Sequence, residues 1–331
     1  MNGRDIPNAP QQKITVTGRI PDAGLDLLRS IDGSEVWAWM DDTVIPTQVR
    51  NEQLADADAA VTLLTDRVDD DFLAAAPKLQ IVVNVAVGYN NIDVAACARR
   101  GVIVTNTPGV LIDATADLAM GLVLMSTRRL GEGERLIRSG TAWQWSMFMM
   151  LGTGLQGRTL GIVGMGGIGK ALATRAKAFG MRIVYHNRRN VDIAVEKRLD
   201  AQRVDFDELL ATSDIVSLNC PYSEATHHLI DATALAAMKS TAFLINTARG
   251  PIVDEAALVE ALVNGVIAGA ALDVFENEPN VHPGLLGLDN VVLVPHLGSA
   301  TVETRAAMAT TAASNVVEVL AGRTPRNPVS G

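Results

Sequence analysis

The most constraining feature of the chain is a glycine-rich segment at 161–169, which reads Gly-Ile-Val-Gly-Met-Gly-Gly-Ile-Gly. It contains a G-x-G-x-x-G pattern at Gly164, Gly166 and Gly169. A short apolar run precedes this segment, and a stretch with helical periodicity follows it as far as Gly180. A second strand is predicted at 181–185. The pattern alone is weak evidence, but inside a strand–turn–helix–strand unit it predicts a dinucleotide-binding fold rather than a glycine-rich structural loop.

Each glycine of the pattern has a physical role in such a fold. Gly164 permits the tight turn, Gly166 lets the backbone approach a pyrophosphate, and Gly169 lets helix and strand pack closely. The phosphates rest on the free N–H groups at the start of the helix, where the helix dipole also favours anions. We therefore expect the binding turn to include Gly167 and Ile168 as well.

Strand-like and helix-like segments alternate along almost the whole chain, which predicts an α/β protein with parallel sheets covered by helices. The length of 331 residues suggests two domains. A long helix is predicted from Asp113 to about Gly131. The other predicted helices are 22–31, 69–76, 255–264 and 301–321. Further strands are predicted at 13–17, 35–39, 60–64, 80–87, 102–105, 215–220, 242–246, 269–274 and 291–294.

Charge and cysteine content exclude several classes of protein. The net charge of −9 argues against nucleic acid or an anionic membrane as the main partner. The two cysteines, Cys97 and Cys220, are far apart and lack metal-ligand spacing, so we predict a reducing compartment and no metal site. Residues 1–12 contain no apolar signal segment and are expected to form a frayed tail, and no apolar run is long enough to span a bilayer. These features together predict a cytoplasmic protein.

Three predicted strands are each followed by a residue that suits acid–base chemistry. Arg249 follows the strand at 242–246, Glu278 follows the one at 269–274, and His296 follows the one at 291–294. Ligands of open α/β sheets bind outside the carboxyl ends of the strands, so these three side chains could converge. Arginine binds a carboxylate through two donors, histidine exchanges a proton near neutral pH, and a carboxylate stabilises an imidazolium. The alternatives are a surface ion pair for Arg249, a solvated turn acid for Glu278 and a buried, backbone-bonded histidine for His296.

Several segments in sequence order carry a resemblance to a known family. They are the glycine-rich turn and the stretches at 87–93 (Val-Gly-Tyr-Asn-Asn-Ile-Asp), 246–250 (Asn-Thr-Ala-Arg-Gly), 272–279 (Leu-Asp-Val-Phe-Glu-Asn-Glu-Pro) and 295–296 (Pro-His). Together they resemble the D-isomer-specific 2-hydroxyacid dehydrogenases over about the last three-quarters of the chain. The formate-oxidising branch has glutamine where this chain has Glu278, and we set that branch aside. The family often has arginine at the position of Gly167.

The resemblance implies roles for the candidate residues. Arg249 would bind the substrate carboxylate and polarise the carbonyl, and His296, paired with Glu278, would be the acid/base. Backbone N–H groups of Val87 and Gly88 would help to hold the carboxylate. Asp273 would hydrogen-bond the nicotinamide amide, with the alternative that it caps or hydrogen-bonds a turn. Further cofactor contacts are expected at Pro221, Thr247 and Ala248.

The resemblance also implies the domain organisation. Two doubly wound parallel-sheet domains are expected: a flavodoxin-like substrate domain (residues 1–109 and 298–331) and a Rossmann dinucleotide-binding domain (110–297), with the active site in the cleft between them. Residues 113–150 would form the two-fold interface of a homodimer. Trp143 or Trp145 could line a substrate pocket, although tryptophans in such a segment are more often core or interface residues.

The residues after the second strand of the dinucleotide unit bear on cofactor choice. NAD-specific folds place an acid there to bind the ribose hydroxyls, but this chain reads Tyr-His-Asn-Arg-Arg at 185–189 and has no acid before Asp192. Asn187, Arg188 and Arg189 would accept a 2′-phosphate, so NADPH is predicted over NADH. The alternative for the two arginines is a solvated charge pair. The run resembles the NADPH-preferring glyoxylate/hydroxypyruvate reductase branch of the family.

The sequence therefore predicts NADPH-dependent reduction of a small 2-keto acid, glyoxylate or hydroxypyruvate, to the D-hydroxy acid, with His296 as proton donor. One alternative is a related dehydrogenase acting on 2-ketogluconate, 3-phosphoglycerate or an aryl keto acid. The other is a dinucleotide-sensing scaffold that binds a protein partner and turns over negligibly.

Overall fold

The computed structural model describes residues 12–329, which form two α/β units. Of the described residues, 12–111 and 301–329 form one unit, and Ile112–Ala300 form the other. These divisions fall a few residues beyond the 109/110 and 297/298 boundaries expected from the sequence. The tail predicted at residues 1–12 lies, except for Gln12, outside the described residues.

The first unit contains a sheet of five parallel strands in the order β2-β1-β3-β4-β5. All side chains of β3 and β4 are buried, as expected for strands covered on both faces. Asp69 and Asp93 cap two of the helices by accepting an N–H of the first turn. The elements are β1 (Gln12–Val16), α1 (Asp22–Arg29), β2 (Ser34–Ala38), α2 (Thr47–Leu54), β3 (Ala59–Thr62), α3 (Asp70–Ala75), β4 (Ile81–Asn84), α4 (Val94–Arg99) and β5 (Ile103–Thr105).

The second unit contains seven parallel strands in the order β12-β11-β10-β9-β6-β7-β8. The strand order reverses between β6 and β9, which is where an open α/β sheet binds its ligand. The elements are α5 (Ile112–Thr127), α6 (Leu130–Arg138), β6 (Thr159–Val163), α7 (Gly167–Ala178), β7 (Arg182–His186), α8 (Ile193–Leu199), β8 (Ala201–Arg203), α9 (Phe206–Thr212), β9 (Ile215–Leu218), α10 (Ala232–Ala237), β10 (Phe243–Asn246), α11 (Glu255–Val263), β11 (Gly269–Leu272), α12 (Pro283–Leu286) and β12 (Val291–Leu293).

The chain then returns to the first unit as α13 (Val302–Leu320), which begins at the capping residue Thr301. It crosses α1 closely, because a Cβ placed on Gly24 would lie 2.7 Å from the Cβ of Ala309. In the stretch 12–329, no helix has the length and hydropathy needed to cross a membrane.

The long helix predicted from Asp113 to about Gly131 is confirmed as α5 over most of its length, but it ends at Thr127. The chain then turns at Arg129, whose φ is +55°, and continues as α6. The carbonyl oxygen of Thr127 accepts the N–H of Thr153 at 2.7 Å, which replaces the continuation of the helical ladder. Hydroxyl bonds from Ser126 and Thr127 to carbonyls four residues earlier also compete with that ladder. The strand predicted at 80–87 is shorter than expected, since Val85 and Ala86 are buried in a bend and not in a strand.

Candidate active site

The glycine-rich turn has the geometry that a phosphate-binding turn requires. Gly164 has φ of +98°, and a Cβ there would lie 2.6 Å from the backbone nitrogen of Cys220. A Cβ on Gly169 would lie 2.4 Å from the carbonyl oxygen of Gly164, so helix and strand pack too closely for a side chain. Gly166 precedes α7, and apart from its two chain neighbours no described residue has an atom within 4 Å of where its Cβ would be. The turn is therefore open on the side where a pyrophosphate would approach.

The turn is attached to the end of β7. The N–H of Met165 donates to Oδ1 of Asn187 at 2.7 Å, and the N–H of Gly164 donates to the carbonyl of His186 at 3.0 Å. At Gly167, where the family often has arginine, a Cβ would lie 2.7 Å from Cδ1 of Ile112. The Ile112 side chain thus fills the space into which a side chain at 167 would extend.

The residues after β7 present positive charge to solvent. Arg188 and Arg189 are exposed, and within residues 12–329 neither forms an ion pair with a carboxylate. Asp192, the first acid after the strand, instead accepts the N–H of Ala194 at 2.7 Å and caps α8. Its carboxylate is therefore engaged at the start of that helix.

Sequence reasoning missed a third arginine at this edge. Arg203 at the end of β8 donates from Nε and Nη2 to the carbonyl of Asn187, at 3.3 and 3.0 Å. This bond places a third guanidinium beside the Asn187–Arg189 segment. The short, polar strand β8 has no hydrophobic period, so the sequence offered no signal for it.

Two buried polar atoms lie at the carboxyl ends of β9 and β10. The hydroxyl of Thr247 and Oδ1 of Asn219 make no hydrogen bond to any described residue. Buried polar atoms are normally paired, so both are suited to contact a bound ligand. Thr247 was among the cofactor residues expected from the sequence, whereas Asn219 was not. Next to them, Ala248 donates its N–H to Asn246, and Pro221 is exposed.

These features fit a nicotinamide dinucleotide. The open Gly166 turn at the start of α7 suits its pyrophosphate. The unpaired hydroxyl of Thr247 offers a polar contact further along the same edge of the sheet.

His296 and Glu278 are brought together by the loops that follow β12 and β11. His296 adopts φ of +53°, and its N–H donates to the carbonyl of Asp273 at 2.8 Å. Its ring Nδ1 lies 2.8 Å from Oε2 of Glu278, and the other carboxylate oxygen accepts the N–H of Phe275 at 3.0 Å. Because a carboxylate only accepts, Nδ1 carries the proton of this bond, and Nε2 takes no part in it.

The charges of the site are coupled. Burial raises the pKa of Glu278, but the hydrogen bond and charge of His296, the N–H of Phe275 and the charge of Arg249 together lower it below its usual value. Burial lowers the pKa of Arg249, and the nearby charge of Glu278 opposes this. The Arg249 guanidinium stays protonated and donates to the carbonyl of Ala248 at 2.7 Å. The predicted arginine, histidine and carboxylate are therefore neighbours in one unit.

Asp273 is 1% exposed and binds the loop that carries His296. Its Oδ1 accepts the N–H of Leu297 at 2.5 Å and its Oδ2 the N–H of Gly298 at 2.9 Å, while burial raises its pKa. These hydrogen bonds are the ones expected from the alternative interpretation of the sequence, in which Asp273 hydrogen-bonds a turn. Each oxygen keeps a second lone pair, and contact with a nicotinamide amide stays a prediction.

Sequence reasoning also missed a steric contact between the loops that carry Arg249 and Glu278. A Cβ on Gly250 would lie 1.9 Å from the carbonyl carbon of Phe275 and 2.4 Å from the backbone nitrogen of Glu276. The loop that carries Arg249 therefore packs directly against the backbone of the loop that carries Glu278. The glycine after Arg249 is visible in the sequence, but its neighbour in the fold is not.

Two predicted substrate residues belong to the first unit. Val87 and Gly88 lie after β4, and their carbonyl oxygens accept from the side chains of Asn106 at 2.7 Å and Asn84 at 2.8 Å. These bonds fix the loop through its carbonyls. Binding of a substrate carboxylate by the two N–H groups stays a prediction.

The tryptophan-rich segment after α6 is largely exposed. Trp143 is 54% and Trp145 71% exposed, and Met147, Phe148 and Leu151 are also exposed. Such a run of large apolar side chains on a surface is typical of a contact site. A pocket role for Trp143 stays a prediction.

Comparisons with known proteins show which family the sequence belongs to. Residues 120–298 match the model of the D-isomer specific 2-hydroxyacid dehydrogenase NAD-binding domain. A glyoxylate reductase of Thermococcus litoralis is 47% identical over 323 residues, covering 96% of each chain.

Solved structures of related proteins have the same fold as this chain. A protein from Thermus thermophilus has a TM-score of 0.90 and 41% identity, covering 96% of this chain and 100% of that one. An NADPH-dependent glyoxylate/hydroxypyruvate reductase from Sinorhizobium meliloti, solved with NADP and malonate, has a TM-score of 0.82 and 36% identity, covering 97% of each chain. By its sequence and its fold, the chain belongs to the D-isomer-specific 2-hydroxyacid dehydrogenase family.

Proposed function

We propose that this chain reduces small 2-keto acids, glyoxylate or hydroxypyruvate, with a preference for NADPH. The observation that carries the proposal is the pairing of His296 with Glu278 at 2.8 Å, close enough to Arg249 that its charge lowers the pKa of Glu278. Relatives named glyoxylate reductase, at 47% identity in one case, support the substrate class.

The roles of the residues follow from charge and geometry. When bound, the nicotinamide cofactor supplies a hydride to the keto carbon. Arg249 binds the substrate carboxylate with its planar pair of donors. His296 holds a proton at Nε2 and gives it to the carbonyl oxygen, which becomes negative as the carbonyl is reduced. Glu278, through Nδ1, fixes the ring orientation and stabilises the imidazolium that precedes this transfer.

The preference for NADPH is proposed from the residues after β7. Arg188 and Arg189 are exposed and unpaired with any carboxylate of the described chain, and Arg203 adds a third positive charge at Asn187. A 2′-phosphate carries negative charge that guanidinium groups bind well. A carboxylate, which would repel that phosphate, is absent from 185–191.

The proposed domain roles follow the sequence expectation: the second unit binds the cofactor and the first contributes to substrate binding. We also propose a homodimer formed through about residues 113–150, because the exposed apolar side chains at 143–151 suit a second copy of this surface. Sedimentation velocity measures the mass directly, and a monomer at all concentrations would contradict the dimer.

The main test is a substrate panel with NADPH and NADH, followed by nicotinamide absorbance. Glyoxylate and hydroxypyruvate are expected to give the highest kcat/KM, above 2-ketogluconate and aryl keto acids, and NADPH is expected to give a lower KM than NADH. Higher kcat/KM with another keto acid would replace the substrate assignment. Tight NADPH binding with negligible oxidation by every keto acid would favour the scaffold alternative.

The phosphate assignment has a matched pair of variants. Arg188→Ala should raise the KM for NADPH and leave that for NADH nearly unchanged, because only NADPH carries the 2′-phosphate. Arg182→Ala is the control, since Arg182 begins the strand that Arg188 follows and is likewise exposed. An equal loss with both cofactors in the Arg188 variant would contradict the assignment.

A further inference from the structure

His228 connects two loops that carry catalytic residues. It lies in the loop between β9 and α10 and adopts the left-handed conformation, with φ of +48°. Its backbone N–H donates to the carbonyl of Pro251 at 2.9 Å. Its ring Nε2 lies 2.7 Å from Oε1 of Glu276, so Nε2–H donates to that carboxylate. Pro251 is two residues beyond Arg249, and Glu276 is two residues before Glu278.

The loop that carries Glu278 is also held by backbone hydrogen bonds next to the contact between Glu276 and His228. The N–H of Glu276 donates to Oε1 of Glu255 at 2.8 Å, and Glu255 is 3% exposed at the start of α11. The N–H of Phe275 donates to Glu278 itself. The backbone of the loop is thus held from within the unit, and the side chain of Glu276 is held by His228.

The surroundings of His228 shield this bond in part. The side chains of His228 and Glu276 are 33% and 24% exposed. The ring of His227 stacks on that of His228 with 4.0 Å between centroids, and the hydroxyl of Tyr222 lies 3.4 Å from Nδ1 of His227. Asp254 is the other acid that faces the ring, 3.9 Å from Nδ1. A partly shielded, charge-assisted bond of this kind orders a loop better than an exposed ion pair does.

We propose that His228 is a positioning residue for the reaction, which fixes the Arg249 loop through its backbone and the Glu278 loop through its side chain. The inference rests on the proposed roles of Arg249 and Glu278. One residue bonded to both loops sets the distance between the substrate-binding guanidinium and the carboxylate that orients His296. Catalytic geometry is sensitive to such distances, because a misplacement of about 1 Å costs on the order of 10²-fold in rate.

The test compares His228→Asn with His228→Gln. Asparagine tolerates the left-handed backbone, so Pro251 stays bonded, but its side chain is too short to reach Glu276. Glutamine places its amide near the position of Nε2 and can restore the bond. We expect kcat for glyoxylate to fall about tenfold to a hundredfold in the asparagine variant. The KM for NADPH should be unchanged, and glutamine should recover most of kcat. His227→Asn is the control, because that ring stacks on His228 without touching Glu276.

Two readouts separate positioning from a general loss of structure. The alkaline limb of the kcat profile should move to lower pH in His228→Asn, because a displaced Glu278 stabilises a positive charge on the proton donor less well. Hydrogen exchange of the Phe275 and Glu276 amides should accelerate in the same variant without substrate. Combining His228→Asn with Glu276→Gln should cost no more than the larger single change, because both remove one interaction.

Three outcomes would overturn the inference. The first is a wild-type kcat in His228→Asn. The second is a lower Tm in that variant without any shift in the alkaline limb of its kcat profile. The third is a loss of kcat in His227→Asn equal to that in His228→Asn. If wild-type protein reduces no 2-keto acid, the proposed function fails. Hydrogen exchange then still decides whether His228 holds the loop, since that measurement needs no turnover.

Discussion

Replacing Gly250 with alanine tests whether activity requires the Arg249 loop to pack directly against the Glu278 loop. A Cβ there would lie 1.9 Å from both the carbonyl carbon and the carbonyl oxygen of Phe275. Non-bonded carbon atoms rest about 3.5–4.0 Å apart, so the loops would have to separate by roughly 1.6 Å or more. Both neighbours are backbone atoms, which cannot turn aside as the end of a flexible side chain can.

The expected losses follow from that displacement. A shift of about 1 Å in catalytic geometry costs on the order of 10²-fold, so kcat/KM should fall by at least about that factor. Forcing a methyl group into a packed site costs about 1–3 kcal/mol of unfolding free energy. The glycine-rich turn lies at another strand end, so NADPH should still bind, and displacement of Thr247 and Ala248 in the Gly250 loop should weaken its binding only in part.

The assays are steady-state kinetics, NADPH fluorescence titration and urea unfolding of Gly250→Ala. Gly287→Ala is the control, because it is the same substitution in the same unit and, apart from its chain neighbours, no described residue has an atom within 4 Å of its Cβ position. That control should be neutral or slightly stabilising. Wild-type kcat/KM and stability in Gly250→Ala would refute the claim that close packing of these loops builds the site. Loss of the cooperative urea transition, together with loss of activity and of NADPH binding, would point instead to general unfolding.

Two further predictions concern proton transfer and pH. His296→Gln should lower kcat by roughly 10²–10⁴-fold with an unchanged dissociation constant for NADPH, and a kcat near wild type would remove His296 as the acid. Burial raises the pKa of Asp214, but the N–H of Thr159, Lys239 and Arg158 bring it below its usual value. Its stabilising effect is therefore complete above the unfolded-state pKa of about 3.9 and is lost as pH falls through the lower folded value. Asp214→Asn should then cost about 1–3 kcal/mol in urea unfolding at pH 7 and much less near pH 3, whereas an equal cost at both values would contradict a charge effect.

The parts of the fold that the sequence predicted are those set by local pattern. The strand–turn–helix–strand unit around Gly164 and the two parallel sheets follow from alternating apolar runs and turn residues. The prediction failed where a distant segment decides the local structure. The helix through Thr127 ends because Thr153, far along the chain, takes its carbonyl oxygen.

The same division holds for the candidate site. Arg249, Glu278 and His296 could be found because each follows a predicted strand, and the parallel order of β10, β11 and β12 brings their carboxyl ends together. Their supporting contacts could not be found this way. Nothing in the sequence near Glu276 indicates that its partner is His228, 48 residues earlier.

In the proposed mechanism, the positions of Arg249, Glu278 and His296 depend as much on contacts between loops as on the sheet beneath them. The sheet places the ends of β10, β11 and β12 at one edge. The residues in the loops after these strands could still occupy many positions if the loops were free to move. Here that freedom is removed by the bare backbone contact at Gly250, the two N–H bonds to Asp273 and the bonds of His228. None of these groups needs to touch substrate to change the rate. Variants of Gly250 and His228 should therefore affect kcat while the cofactor still binds, which is the pattern expected if the loops set the geometry of proton transfer.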